Sequence, residues 1–209
     1  YVFRVVESPV PDNHTVEYSG NVTNGFVVTN TYQTVNVSGE KTWDDADNQD
    51  GLRPTSITIN LYKKVGTADP VFVKSQEVTP NVNGVWTWTF ANLAKYEGGK
   101  EIVYTITEDT VEGYSSKVDG YNVTNSYTPA TVDISGSKTW SDSNDQDGVR
   151  PDSITIRLLA DGTEVDQKAV TLADGWAWEF TGLAKYRDGG VEIVYTITED
   201  TVEGYSSKV

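Results

Sequence analysis

Cysteine is absent from all 209 residues, so no disulfide staples this chain and any covalent reinforcement has to come from other chemistry. The same absence removes the thiol nucleophile. The single histidine, His14, falls in a predicted loop where solvation is its expected role, so conventional catalysis finds little support. Positive charge is scarce as well: 16 Lys and Arg against 31 Asp and Glu leave a formal net charge of -15. That balance disfavours nucleic acid or an anionic membrane as partner and suits a generic acidic extracellular surface. No apolar run reaches the length of a membrane span, so no membrane insertion is expected. No signal peptide or sorting motif is present, and the chain opens directly on a strand-like YVFRVVE, as an interior piece of a longer protein would. Helical periodicity is nearly absent.

What the chain has instead is six Trp, twelve Tyr, abundant Val and Thr, and a strand signal roughly every ten residues, which together point to an all-β class. Residues 101–118 (EIVYTITEDTVEGYSSKV) recur letter for letter as residues 192–209, so this is a repeat protein with units of about 95 residues. Residues 1–32 read as the closing strands of a truncated preceding repeat. There Phe3, Val5 and Glu7 share one face, and Phe26, Val28, Asn30 and Tyr32 another, across the polar connector SPVPDNHTVEYSGN. Residues 33–129 form a complete repeat, and residues 130–209 a repeat that lacks its last strand. The join between them holds one Pro and no Gly/Ser-rich spacer, which predicts a short, semi-rigid link.

Within the complete repeat, alternation predicts a sandwich: Ile57, Ile59 and Leu61 inward, then Trp86, Trp88 and Phe90 inward with Thr87 and Thr89 outward. LAKYEGGKE reads as a loop crossing between strands. Trp86/Trp88 and their counterparts Trp176/Trp178 have the parity of core residues rather than of a carbohydrate platform.

Three polar residues fall at inward positions on the same pattern. Lys41 lies between Gly39 and Trp43 on the first strand, Glu108 follows Ile106 on the penultimate strand, and Asn125 follows Val123 on the last. A lone buried Lys or Glu costs roughly several kcal/mol unless paired or neutralised, so the three are expected to meet. One outcome is an ordinary buried salt bridge with an asparagine partner. The other is chemistry: burial lowers a lysine pKa and raises a glutamate pKa, and proton exchange within the pair then leaves a neutral amine, which is a nucleophile, beside a neutral acid. Attack on the Asn125 side chain, with Glu108 stabilising the oxyanion and moving protons, would leave a Lys–Asn amide and free ammonia.

VSGEKTWDDADNQDGLRP, YTITED and VTNSYTP together resemble the opening, penultimate and closing signatures of the collagen-adhesin B-type (Cna B-type) repeats of Gram-positive surface adhesins and pilins. The resemblance covers almost the whole chain. It implies tandem inverse immunoglobulin-like β-sandwich repeats, each closed by a spontaneous isopeptide bond, here Lys41 to Asn125 with Glu108 as catalytic acid. Lys138 and Glu199 match in the second repeat, which has no matching asparagine; Glu7 and Asn30 match at the amino end, which has no matching lysine. The implied role is a stalk on the cell-wall-attached, extracellular surface of a Gram-positive bacterium. It would hold a separate binding region towards a host extracellular matrix protein, with adjacent repeats as neighbours, no cofactor, and no catalysis beyond the single-turnover bond formation. The alternative is a module that itself binds a host matrix protein, or that self-associates head to tail by strand complementation. Asn30 and Lys138 flank a complete repeat, so their pairing is expected in trans.

The acidic stretches DDADNQDG and SDSNDQDG invite a calcium reading. Aligning Gly51 with the glycine of an EF-hand loop, however, puts Ala46 at the first ligand position and Ile57 where the bidentate Glu belongs. Solvated turns with Asx hydrogen bonds, and no metal, are the expectation.

Overall fold

Alternation with β-branched and aromatic residues on one face keeps this chain extended, and the computed structural model, which describes residues 1–209, is built almost wholly of strands. It divides into two units, Tyr1–Asp44 with Pro54–Tyr127, and Asp45–Arg53 with Thr128–Val209.

The first unit contains β1 (His14–Asn21), β2 (Gly25–Tyr32), β3 (Thr34–Asp44), β4 (Ile57–Val65), β5 (Val71–Val78), β6 (Trp86–Ala94), β7 (Tyr96–Glu97), β8 (Lys100–Glu108), β9 (Ser115–Asp119) and β10 (Asn122–Ser126). Strands β1 and β2 form a hairpin of their own. The rest form two four-stranded sheets, β6-β3-β10-β9 and β5-β4-β8-β7. Val37, Trp88, Phe90 and Val123 from one sheet and Ile59, Leu61, Tyr104 and Ile106 from the other make the core. Strands β3 and β10, the first and last of the sandwich, lie side by side and parallel, with Lys41 opposite Val123 and Asn125 opposite Trp43. A parallel pair needs a long crossover, and here the crossover is the remainder of the sandwich.

Glycine is required where β3 passes under its neighbours: a Cβ on Gly39 would sit 1.7 Å from the Tyr121 carbonyl oxygen and 2.6 Å from Trp88 Cζ2. Its counterpart Gly136 would meet only the Trp178 ring, at 2.6 Å. Gly39→Ala is therefore expected to cost about 3 kcal/mol, and clearly more than Gly136→Ala, as read from urea midpoints. Equal costs would show that the backbone contact at Tyr121 is unimportant.

Three sequence expectations are corrected. YVFRVVE is not a strand; the strand at the amino end is β1, inside the stretch read as a connector. HTVEYSGN finds a full antiparallel ladder with GFVVTNTY, whereas YVFRVVE has no ladder partner. LAKYEGGKE is not a crossing loop but the β7–β8 hairpin, turned through Gly98 and Gly99 at φ 57° and 74°, the positive values a two-residue hairpin requires. Finally, β9 intervenes between β8 and β10, so Glu108 ends the third strand from last rather than the penultimate one.

The second unit contains β11 (Thr131–Ser137), β12 (Ser153–Ala160), β13 (Thr163–Thr171), β14 (Ala177–Ala184), β15 (Tyr186–Arg187), β16 (Val191–Glu192) and β17 (Tyr195–Glu199). Its sheets are β11-β14, β13-β12-β17 and the small β15-β16 hairpin. Ile154, Ile156, Leu158, Val170, Trp178 and Phe180 form the core. Strand β3 continues through Lys41–Asp44 because β10 pairs with it there, whereas β11 ends at Ser137, and residues 138–141 have no ladder partner.

Candidate functional site

The inward parity of β3, β8 and β10 delivers three polar side chains to one end of the first core. The side chains of Lys41 and Glu108 are fully buried, and Lys41 Nζ lies 2.7 Å from Glu108 Oε1 across the gap between the two sheets. Asn125 is 0% exposed and stands two residues beyond the partner of Lys41 on the adjacent strand, so both side chains share one face of the sheet. None of the facing atoms is well satisfied. Despite its short contact with Glu108, Lys41 Nζ makes no hydrogen bond of good geometry, nor does Glu108 Oε1, nor either polar atom of Asn125. Buried polar groups left in this state are rare and costly.

Two further contacts shape the cluster. The Lys41 ammonium sits 4.5 Å from the centroid of the Trp43 ring on the same strand face. Burial is the main influence on Lys41 and lowers its pKa below the ordinary 10.5, while its close ion pair with Glu108 opposes that shift. Ser116, on β9 directly opposite Asn125, donates its hydroxyl to Glu108 Oε2 at 2.8 Å. One carboxylate oxygen is thus anchored to the sheet edge and the other faces the amine.

Related groups recur elsewhere in the chain. In the second unit Lys138 Nζ stands 2.7 Å from each carboxylate oxygen of Glu199, with side-chain exposures of 15% and 5%, and Ser207 donates to Glu199 as Ser116 does to Glu108. At the amino end Asn30 Nδ2 donates to Glu7 Oε1 at 3.0 Å. The two pairs therefore each hold two members of the lysine, glutamate and asparagine set, a different two in each case.

Ser116 and Ser207 escape a reading by periodicity because all of β9 is exposed, so no alternation of burial marks the face that Ser116 shares with Asn125. The only signal was its place inside the duplicated block, as Ser207. The acidic turns also differ from expectation. Asn48 N–H does bond the Asp45 carboxylate, but Asp45 is buried and pairs with Arg53 through Nη2 at 2.6 Å and Nε at 3.1 Å. Asp142 and Arg150 repeat the fork at 2.6 and 2.9 Å. Arg150 foremost, helped by the Asp145 N–H and the Tyr205 hydroxyl, holds the Asp142 carboxyl well below the usual carboxylate range. These turns are Asp–Arg clasps, legible as an arginine eight residues after the aspartate in both copies.

Residues 37–126 and 134–209 each match the model of the Cna protein B-type domain. The chain is 41% identical over 191 residues to a collagen adhesin of Staphylococcus aureus, an alignment covering 89% of this chain and 16% of that protein. Among solved structures, a single B repeat unit (B1) of the collagen-binding surface protein of Staphylococcus aureus aligns at 38% identity and a TM-score of 0.40, covering 83% of this chain and 90% of that one. The two-repeat unit (B1B2) of the same protein aligns at 36% identity and a TM-score of 0.41, covering 93% of this chain and 51% of that one. With most of its length taken up by two successive matches to one domain model, and at this level of identity, the chain belongs to the Cna B-type family as tandem inverse immunoglobulin-like β-sandwich repeats.

Proposed function

We propose that residues 33–129 form a self-crosslinking spacer repeat in which Lys41 Nζ bonds covalently to the side chain of Asn125. The observation that carries this reading is a buried amine facing a carboxylate at 2.7 Å, with a fully buried amide on the neighbouring strand whose polar atoms have no partner. A neutral Lys41 amine attacks Asn125 Cγ while Glu108, as the acid, delivers a proton to the carbonyl oxygen. Collapse of the adduct expels ammonia and returns the proton to Glu108, leaving beside it one secondary amide, with one donor and one acceptor, where an amine and a primary amide stood. The environment favours this route, since desolvation of Lys41 supports the neutral nucleophile.

The amide would join the first and last strands of the sandwich, so tension along the chain would pass through the bridge instead of the hydrogen-bond ladder. That property suits a stalk of a cell-wall-attached surface adhesin on a Gram-positive bacterium, holding a separate binding region outward. By likeness to a collagen adhesin, the partner of that region is an extracellular matrix protein. Residues 1–32 then represent the closing strands of one repeat, and residues 130–209 the opening strands of another.

Intact mass tests the bond: the wild-type chain is expected to be lighter than its sequence by one ammonia, and an unmodified mass overturns the proposal. Ser116→Ala removes the anchor of Glu108 Oε2. A hydrogen bond to a charged group contributes about 1.5–3 kcal/mol, so bond formation is expected to slow by roughly tenfold to a hundredfold. The fraction still unreacted soon after refolding would report it, and unchanged kinetics would remove Ser116 from the site.

A further inference from the structure

We propose that Trp43 is a positioning residue of the crosslinking site: its ring draws the Lys41 side chain along β3 to the level of Asn125 and holds the amine there until it reacts. The inference rests on the Lys41–Asn125 chemistry proposed above and names the group that aims its nucleophile.

Register carries the argument. Lys41 lies opposite Val123 in the β3–β10 ladder, and the residue opposite Asn125 is Trp43. The amine and its target therefore start two positions apart, about 6.6 Å at roughly 3.3 Å per residue of a parallel strand. A lysine standing straight out from the sheet misses Asn125, whereas one that leans towards Trp43 closes the offset. The side chain does lean that way, with Nζ 4.5 Å from the centroid of the Trp43 ring, within the range of a cation–π contact. Glu108 meets the same nitrogen from the facing sheet at 2.7 Å. One partner alone leaves a flexible four-carbon stem free to pivot, and two partners in different directions define one position.

The ring is itself held in place. Trp86 meets it edge-on with centroids 5.5 Å apart and planes at 69°, and Tyr114 does so at 5.1 Å and 73°. The same set recurs in the second unit, where Lys138 Nζ is 4.8 Å from the Trp140 ring, and Trp140 meets Trp176 and Tyr205 at 5.1 and 4.9 Å, both at 72°. The lean thus belongs to the Lys-Thr-Trp sequence and its aromatic neighbours in both copies.

Trp43 makes and breaks no bond. Nζ bonds to Asn125 Cγ, the Cγ–Nδ2 bond breaks, ammonia leaves, and Glu108 gives and recovers one proton. The charged group facing Nζ is Glu108 of β8; β10 contributes the neutral Asn125, and β6 the Trp86 ring opposite Lys41. A ring face attracts the ammonium rather than the neutral amine, so Trp43 also favours the protonated form. Removing the ring therefore has two opposed effects, more neutral amine and poorer aim. A net slowing reports the aim.

Refolding the full chain from inclusion bodies dissolved in urea starts the reaction, and intact mass follows the loss of one ammonia across a series of pH values. Trp43→Leu is expected to react roughly tenfold to a hundredfold more slowly than wild type at the optimum pH, the scale of a misplacement of about 1 Å. Its weaker hold on the proton shared by Lys41 and Glu108 moves the alkaline limb of the pH–rate profile, where the pair loses that proton, to lower pH. Trp43→Phe keeps a ring face and is expected to recover most of the rate, with its alkaline limb between the other two. Wild-type rates in both variants overturn the inference. Two slow variants whose alkaline limbs stay in place also overturn it, since the ring then only packs. If Trp43→Leu does not fold, Trp43→Phe decides, and an alkaline limb unmoved from wild type overturns the inference. Wild type that never loses ammonia overturns the crosslink and this inference together, whereas wild type that crosslinks alongside unaffected variants overturns this inference alone.

Discussion

Asn125→Ala is expected to lower the thermal midpoint of the first unit by about 20 °C or more while leaving its fold intact. The bond proposed between Lys41 and Asn125 closes a loop of roughly 85 residues, for which chain entropy gives about 4–5 kcal/mol. Each kcal/mol moves the midpoint of a domain of this size by about 4–8 °C. The substitution discriminates well because the Asn125 side chain makes no hydrogen bond. If the asparagine were only a buried neighbour of an ion pair, its removal would delete an unsatisfied amide and leave a small cavity, two effects of about 1–3 kcal/mol that oppose each other. A large loss therefore reports the covalent bond. Calorimetry and intact mass read together check it: the variant must carry its full calculated mass and melt far below the wild type. A midpoint within a few degrees of wild type, or wild type at unmodified mass, would sink the assignment.

The parts of this structure legible in the sequence are those where burial on one face writes a period into the chain. Lys41, Glu108 and Asn125 stand out because each interrupts an apolar series that has to face inward, and Trp86, Trp88 and Phe90 belong to the core for the same reason. Strand β9 carries no such record: at the sheet edge all five of its residues are exposed, so neither it nor Ser116 could be read from parity. The amino end failed in the opposite way. YVFRVVE has the composition of a strand, yet a strand exists only where a ladder partner is at hand, and β2 pairs with β1 instead. Residues 138–141 make the same point from inside a repeat, since KTWS and KTWD are nearly one sequence and only KTWD, alongside β10, is strand. The Asp–Arg clasps leave no periodic record either, since each joins an aspartate to an arginine eight positions on within an irregular, acidic turn.

Glu108→Gln is expected to yield a folded protein at its full, unreacted mass, with bond formation slowed by at least about a hundredfold, the lower range of what a positioned acid contributes. Glutamine keeps the shape and a hydrogen-bond donor but cannot give up a proton to the Asn125 carbonyl and take it back. The state of Lys41 makes the experiment decisive. Burial lowers its pKa, and the adjacent Glu108 carboxylate opposes that shift. The glutamine variant removes that charge, so Lys41 moves further down and more of it is neutral at any given pH. Were supply of the neutral amine the limiting factor, the variant would react at least as fast as wild type; a slower reaction assigns the loss to proton transfer. The uncrosslinked variant also has a pH signature of definite sign. Its lysine binds a proton more weakly folded than unfolded, so protonation favours unfolding. Stability is expected to rise with pH from the lowered value towards the ordinary 10.5. Burial of Tyr104, which raises its pKa above 10.0, works the other way once tyrosines ionise, so the window lies below that range. Urea midpoints measured from neutral to moderately alkaline pH should therefore climb, by more than they do for Lys41→Ala. A variant isolated already one ammonia lighter would show that Glu108 is dispensable for the chemistry.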